Sequence, residues 1–504
     1  MLNTSFDKPL AIHLTKHAYE KTRAYLFRDE KESVCFLFAH VVENRTILVF
    51  NVDHVVLLQE DCYKRRTRTS AVVHHRAKNY VYQRFVQTTY TGLINCHSHP
   101  FSSSRVAFSL IDDEDDLREM AYQYDQLPLG KRSFHNPTKI HCLSMVFGHE
   151  SLDARGFKPG SSPILTPVRD VLVLGEKLQF ITPTGAGKSP ALSSFDRSTY
   201  DRQILAFGEE GQKVLSQIRV ALIGCGGIGS IVSEGVLRLG IKSLTLVDHD
   251  LVSPHSLNRW QGGRPADIGK PKAHVLARHL RSMFPGIKVN SIAKPLNHPK
   301  ALRAVKDVDV LLGGLDNHLT RYLLNRISIQ YLIPYLDAGT AITKANQQGS
   351  IKLLSRLAVV IPGVTACMEC SQIQYFDQKQ LALELYDPIT RAQLIQAGYI
   401  QDHPELEAPS VMPLNMLAAS LLLTELLNLV TGFAPLARNF VIDLTHPNDT
   451  QLRSDSENFP EGPAKDCLNC AALLGVGDSE PLPIIHTPRE SQIPSTNLPL
   501  AVNE

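Results

Sequence analysis

The 504-residue sequence has no surplus of either charge: 52 Lys and Arg against 50 Asp and Glu leave a formal net charge of +2. There is no global basic field to bind nucleic acid. Met1 to Lys8 contain no apolar stretch that would serve as a secretory signal. The nine cysteines are therefore expected as reduced thiols in a cytoplasmic protein, and closely spaced pairs read as metal ligands before disulfides. No apolar run is long and charge-free enough for a membrane span. The longest, Met416 to Val430, carries Glu425 and Asn428 and reads as a buried helix. Residues 371–466 hold no cysteine, so that stretch offers no thiol nucleophile. The length predicts two to four domains, each with a core of its own.

What is present begins with strand-like runs at Val34 to Phe38, Thr46 to Phe50 and Val55 to Leu58. Helices are expected over Leu14 to Phe27 and Arg76 to Gln87. A further strand from Thr91 runs into Cys96-His97-Ser98-His99-Pro100. On an extended chain His97 and His99 project to one face. Ser109 follows, then Asp112, which opens an acidic helix start. Two histidines and one carboxylate make a three-ligand zinc site with an open position, the arrangement of catalytic zinc. Such chemistry needs a separate carboxylate as general base, and Glu32, just before the first of these strands, is placed to supply it. An isolated H-x-H is more often an ordinary loop pair, and a serine before a helix more often a cap. The ordered set favours the metal reading.

This first segment resembles the JAB/JAMM (MPN-type) metalloproteases. Their signature is an early glutamate, then H-x-H-P, then S-x-x-D, matched in order by Glu32, His97, His99, Pro100, Ser109 and Asp112. The resemblance implies a JAB/MPN-like α/β domain over 1–183 with zinc held by His97, His99 and Asp112. It makes Glu32 the base and Ser109 a stabiliser of the tetrahedral oxyanion. The implied substrates are peptide or isopeptide bonds at the C-terminus of ubiquitin-like proteins.

Pro183 to Pro190 is small and polar and marks a boundary, with a linker over 184–194. Gly187-Lys188-Ser189 within it lacks the first glycine of a phosphate loop and reads as linker. In the second segment, 195–475, Val220 to Ser230 has the order strand, glycine turn, helix. Gly224, Gly226 and Gly229 form G-x-G-x-x-G, with Gly227 beside them. That order lets backbone N–H groups and a helix N-terminus face a phosphate. Asp248 ends a second buried-type strand, nineteen residues past Gly229, close to the spacing at which an acid meets ribose hydroxyls. Asp250, Arg259 and Lys272 follow. Cations arriving after a ribose-binding acid suit a triphosphate whose pyrophosphate leaves. A third strand, from Asp307, runs to Leu315-Asp316-Asn317, and Arg321 follows on a helix. An acid at a strand's carboxyl end, as Asp316 is, can hold Mg²⁺.

This segment resembles the ThiF/MoeB superfamily, the adenylation domains of ubiquitin-activating enzymes. Arg202-Gln203-Ile204, the glycine loop, Asp248-x-Asp250, Arg259, Lys270-Pro271-Lys272 and Asp316-Asn317 match its elements in order. The resemblance implies a Rossmann-like doubly wound fold that binds ATP at Gly224, Gly226, Gly227 and Gly229. It implies ribose contact by Asp248 with Asp250 close by, and phosphate contacts by Arg259 and Lys272. Asp316 takes a Mg²⁺-linked role, and Arg202 reaches a nucleotide across a homodimer interface. The implied reaction adenylates the C-terminal glycine of a ubiquitin-like protein.

Cys367-x-x-Cys370 and Cys467-x-x-Cys470 form two knuckles of a closed, structural Cys₄ zinc site. With no cysteine in 371–466, the acyl-adenylate would pass directly to a partner's nucleophile or to a hydroxyl such as that of Ser410. Cys225, inside the glycine loop, reads as packing. Residues 476–504, rich in Pro, Ser and Glu, are expected to form a disordered tail. Together these expectations describe a bifunctional enzyme with ATP, Mg²⁺ and two zinc ions, one catalytic and one structural. Its expected partners are a ubiquitin-like protein and a ubiquitin-conjugating-type enzyme, as in bacterial conjugation operons, some linked to antiphage defence. The alternatives are sulfur-carrier activation with carrier maturation, and a non-catalytic scaffold for a ubiquitin-like protein.

Overall fold

The computed structural model describes residues 8–102, 104–132, 139–158, 164–186, 197–344, 351–370, 409–445, 451–453, 460 and 462–482. The N-terminal half supplies β1 (Leu10–Thr15), α1 (Lys16–Leu26), β2 (Val34–Glu43), β3 (Leu48–Leu57), β4 (Tyr63–Thr67), β5 (Ser70–Val73), α2 (His75–Val86), β6 (Gly92–Ser98) and α3 (Leu110–Arg132). It ends with β7 (His141–Phe147), β8 (Leu152–Lys158), β9 (Ile164–Leu174) and β10 (Gln179–Ile181). Eight strands form one sheet in the order β1-β3-β2-β6-β7-β8-β9-β10. Because β9 also pairs in parallel with β1, the sheet closes on itself.

Three local expectations change here. The helix expected from Leu14 starts at Lys16, because Leu10–Thr15 is a buried strand and Thr15 Oγ1 caps the helix by accepting from the N–H of Ala18. The two strands expected at 46–50 and 55–58 are one strand, β3, paired with β2 across the polar stretch between them. The tail expected from residue 476 is ordered through 482. There Gln330 donates to the Gly477 carbonyl, Tyr331 and Lys306 both bond Asp478, and Ser479 pairs with His40. Residues 483–504 and Gly187-Lys188-Ser189 lie outside the described residues.

The C-terminal half runs α4 (Arg197–Gln217), β11 (Arg219–Ile223), α5 (Gly227–Arg238), β12 (Ser243–Val247), α6 (Lys272–Met283), β13 (Lys288–Ile292), α7 (Pro299–Val305), β14 (Val310–Gly313), α8 (His318–Tyr331) and β15 (Tyr335–Lys344). β16 (Ile351–Val360), α9 (Met412–Thr431), β17 (Asn439–Asp443), β18 (Gln451–Arg453) and α10 (Leu468–Ala472) complete it. Its sheet order is β13-β12-β11-β14-β15-β16-β17-β18. The first five strands are parallel and the last three antiparallel. In chain order the parallel strands read 3-2-1-4-5, so the order reverses between β11 and β14. Such a switch point opens a ligand crevice at the strands' carboxyl ends. The apolar helix expected at 416–430 is α9. It is the one helix among the described residues long and apolar enough to cross a membrane, and it buries most of its length against α5, β15 and β16.

The halves share their cores. Leu172, Leu174 and Leu178 pack into the apolar cluster around Leu222, Val232 and Leu426. Ala11, Val42, Ile47 and Val49 join Ala221, Leu311 and Tyr335. Polar bonds run along this seam: Asn44 Nδ2 donates to the Lys306 carbonyl at 2.7 Å and Thr46 Oγ1 to Asp307 Oδ2 at 2.8 Å. The start of the expected linker is pinned as well, with Thr184 N–H on the Leu152 carbonyl at 3.1 Å and Gly185 N–H on Asp153 Oδ1 at 2.9 Å.

Candidate functional sites

A cleft of about 660 Å³ opens at the carboxyl ends of β11, β12 and β14. Its floor is the glycine loop. Gly224 has φ 88°, and a Cβ there would lie 2.5 Å from the Gly314 carbonyl oxygen. Among the described residues no atom lies within 4 Å of a Cβ on Gly226, so the backbone there faces the cleft, a cradle that accepts a bulky anion. Trp260, the single tryptophan, props the loop from below: its Nε1 donates to the Cys225 carbonyl at 2.6 Å. Cys225 itself is fully buried, and burial and the nearby Asp248 push its thiol up, so it is a packing residue.

Asp248 is turned by the loop it serves. Its Oδ2 accepts the Cys225 N–H at 2.6 Å and its Oδ1 the Asp250 N–H at 2.7 Å. Burial nevertheless raises its pKa, with Asp250 adding to the effect. Lys272, at the start of α6, holds Asp250 Oδ2 at 2.8 Å. Burial alone would lower its pKa, but Asp250, Asp248 and Asp316 outweigh that and raise it, so it stays a cation. Arg259 lines the cleft with its Nη1 on the His255 carbonyl at 2.7 Å. Asp316 lies exposed at the rim beyond β14, beside Asn317, whose side chain caps α8.

The fold thus gathers Gly224, Gly226, Gly227, Asp248, Asp250, Arg259, Lys272 and Asp316 into one cleft. Gly229 lies behind the loop: a Cβ there would be 1.9 Å from the Gly224 carbonyl oxygen, so it serves close packing. Arg202 is exposed on α4 and does not line the cleft. Lys294, Thr340, Arg356, Ser410 and Asn415 do line it. Of these only Ser410 was singled out from sequence. Its hydroxyl accepts from Asn415 Nδ2 at 3.1 Å.

Compared with known families, residues 200–468 match the ThiF family. The chain belongs to that family. Among curated ThiF-like relatives, the sulfur carrier protein ThiS adenylyltransferase of Bacillus subtilis is 30% identical over 175 residues, covering 34% of this chain and 49% of that one. The adenylyltransferase and sulfurtransferase MOCS3 of Caenorhabditis briggsae is 31% identical, covering 30% and 38%. Ubiquitin-activating enzyme E1 1 of Candida albicans is 28% identical, covering 41% and 21%. The chain therefore spans about half or less of the length of these relatives. Among solved structures, E. coli MccB with MccA-N7isoASN aligns at TM-score 0.43 and 21% identity, over 56% of this chain and 76% of that one.

Among the described residues, two clusters outside the cleft have metal-ligand geometry. Cys367, Cys370, Cys467 and Cys470 converge, with Sγ–Sγ separations of 3.7 Å (367 to 370), 3.7 Å (367 to 467) and 3.5 Å (370 to 470). These are far too long for disulfides. They fit the edges of a tetrahedron around zinc, about 3.8 Å for Zn–S bonds of ~2.3 Å. The Ala464 N–H points at Cys370 Sγ at 3.3 Å, the kind of outer hydrogen bond that supports a thiolate.

The second cluster sits where β6 runs out. His97 Nε2 lies 3.3 Å from Asp112 Oδ1, and His99 Nε2 lies 3.4 Å from Asp112 Oδ2. Zinc held by ~2.05 Å bonds gives tetrahedral edges of about 3.3–3.4 Å. His97 Nε2 is buried, and among the described residues its only polar neighbour given is Asp112, so a metal between the two would satisfy both. Between the two histidines, Ser98 points the other way, its Oγ donating to the Leu26 carbonyl and accepting from the Ser33 N–H, which fixes the strand's register. Glu32 is held beside the cluster, its backbone bonded to Thr67 and Arg66. Burial pushes its carboxyl up, while His97 and His99 pull it back.

Ser109 has a structural use at the start of α3. Its Oγ accepts the Asp112 N–H at 3.2 Å and its own N–H donates to Asp112 Oδ2 at 2.6 Å. That reciprocal pair is a capping box at the start of α3, and it aims Asp112 at the histidines.

Proposed function

We propose that this chain is an ATP-dependent adenylyltransferase that activates the C-terminal carboxylate of a ubiquitin-like or sulfur carrier protein. The observation that supports it is the cleft at the switch point, where the open glycine loop, Asp248, Arg259, Lys272 and Asp316 meet. The loop's backbone N–H groups and the α5 N-terminus hold the phosphates, and Asp248 meets the ribose. A carboxylate oxygen of the carrier bonds to the α-phosphorus of ATP. The bond from that phosphorus to its α,β-bridging oxygen breaks, and pyrophosphate leaves with the electron pair. Arg259 and Lys272 neutralise the charge that builds on the departing group. Asp316 would hold Mg²⁺, which would supply further charge neutralisation when bound. Arg202 serves the cleft of a second copy of the chain. Incubation with [α-³²P]ATP and a ubiquitin-fold protein ending in Gly-Gly should yield a labelled acyl-adenylate. Its absence with every carrier of either class would refute the reading.

The N-terminal half is a zinc-dependent peptidase of the JAB/JAMM kind acting on the same carrier or its conjugates. His97, His99 and Asp112 would hold zinc, which would supply Lewis acidity when bound. Glu32, buried beside them, takes up and returns the proton at its carboxylate. Cleavage of a C-terminally extended carrier should vanish with chelator and with His99→Ala. Cleavage that survives either would exclude the metal mechanism. The Cys₄ cluster is a structural zinc site. Both reactions belong to the cytoplasm, in bacterial conjugation systems of the kind used in antiphage defence.

A further inference from the structure

The wall of the cleft opposite the nucleoside side carries a built cationic site. Asp337 on β15 has no exposed surface. Arg321 Nε donates to its Oδ2 at 2.9 Å, Arg356 Nη2 lies 3.6 Å from the same oxygen, and the Tyr335 hydroxyl donates to Oδ1 at 2.9 Å. One carboxylate therefore lies between two guanidinium groups. Arg321 is buried and also bonds the Leu315 carbonyl, so its donors are committed to the fold. Arg356 lines the cleft.

Arg356 reaches that position because its cross-strand partner on β15 is Gly339. A Cβ there would lie 2.8 Å from Arg356 Nε and 3.5 Å from Arg321 Nη2. The missing side chain is the space in which the arginines converge. The order of the sheet then divides the cleft. Asp248 follows β12 and Lys294 follows β13, so the nucleoside belongs on that side; the glycine loop follows β11 and takes the phosphates. An acyl group that attacks the α-phosphorus must enter from the β15–β16 side, where Thr340, Arg356, Ser410 and Asn415 form the wall.

We propose that Arg356 binds the terminal carboxylate of the carrier protein and makes a free C-terminus a requirement of the site. Resting on the adenylation reading above, this assignment names the group that recognises the second substrate. A guanidinium fits a planar carboxylate through paired donors, while the neighbouring Asp337 fixes the arginine's orientation.

Trp260, under the glycine loop, reports nucleotide binding in the full-length chain by fluorescence. With a non-hydrolysable ATP analogue bound, the chain is titrated with a hexapeptide ending in Gly-Gly, as free acid and as C-terminal amide. Wild type should bind the acid at least about tenfold more tightly than the amide, the worth of one charge-assisted hydrogen bond. Arg356→Gln should lose that preference while nucleotide affinity stays within about twofold, which also shows that the variant is folded. Arg356→Lys should fall between. Gly339→Ala, whose methyl displaces the guanidinium, should lower the preference as Arg356→Gln does. If wild type binds acid and amide equally or not at all, or if Arg356→Gln weakens the nucleotide instead of the peptide, the assignment is overturned and the adenylation reading stands. If wild type binds no nucleotide, the adenylation reading falls, and this assignment with it.

Discussion

A methyl group on Gly229 would sit 1.9 Å from the Gly224 carbonyl oxygen, and neither backbone can move without opening the loop. Gly229→Ala should therefore cost about 2–3 kcal/mol, the scale of overpacking, and weaken nucleotide binding more than tenfold by titration. Sequence spacing alone singled out this glycine, because a G-x-G-x-x-G turn leaves few ways to close. Ser109 is a different case. Its residue type and spacing suited both a cap and an oxyanion role, and the bonds to Asp112 show the cap. Ser109→Ala should lose about 1 kcal/mol of stability in a denaturant melt. The cysteines were legible for a simpler reason: two C-x-x-C knuckles need only come within bonding range of one ion. On the proposed reading of two zinc ions per chain, Cys470→Ser should leave one, read by elemental analysis, with a lower thermal midpoint. Arg356 and Asp337 were not legible. They sit on two different strands, and only the pairing of β15 with β16 places them together.

At the scale of elements, the parallel sheet was readable as buried strands ending in glycine or acid, because both its faces are covered. The strand boundaries of the N-terminal sheet were harder. β3 carries Asn51, Asp53 and His54 in its middle, which mimic a turn in sequence, and only pairing with β2 and β1 shows one continuous strand. α9 was recognised as buried despite its length, since Glu425 has a local use: it accepts from Asn428 Nδ2 at 3.0 Å and from the Ala437 N–H at 2.8 Å. Its opposite turns press on α5 so closely that a Cβ on Gly235 would meet Leu423 Cδ1 at 2.2 Å. Leu426 has no exposed surface and lies in the cluster that joins both halves. Leu426→Ala should destabilise the chain by 2–5 kcal/mol, seen as a lower urea midpoint.

For the whole molecule, the sequence suggested two domains and a linker, but the seam between the halves is a continuous apolar core edged with polar groups. Composition cannot reveal a seam, since its residues look like any other core. Its weak point is a buried row. His13, Asn51 and His40 stand in register across β1, β3 and β2, with Asp309 and Arg219 facing His13 from the other half and Ser479 facing His40. Burial lowers the pKa of His13 and of His40 to about 4 from 6.5. Asp309 and Asp170 raise that of His13 in part, while Arg219, Arg169 and, for His40, Lys131 lower it further. Between those values the unfolded chain binds more protons than the folded one, so stability is full above pH 6.5 and is lost as pH falls toward 4. At pH 5 the loss is on the order of 2 kcal/mol for a fully shifted histidine. Urea midpoints at pH 7.5 and pH 5 should show this fall, and His13→Gln should flatten it.

The proposed adenylation in the cleft is the step that ATP–pyrophosphate exchange reads directly. Exchange by the full chain with a ubiquitin-fold protein ending in Gly-Gly should depend on that protein. It should fall at least about a hundredfold in Lys272→Ala, the range for removing one charge that stabilises a transition state. Exchange at the wild-type rate in Lys272→Ala would contradict the assignment of the cleft.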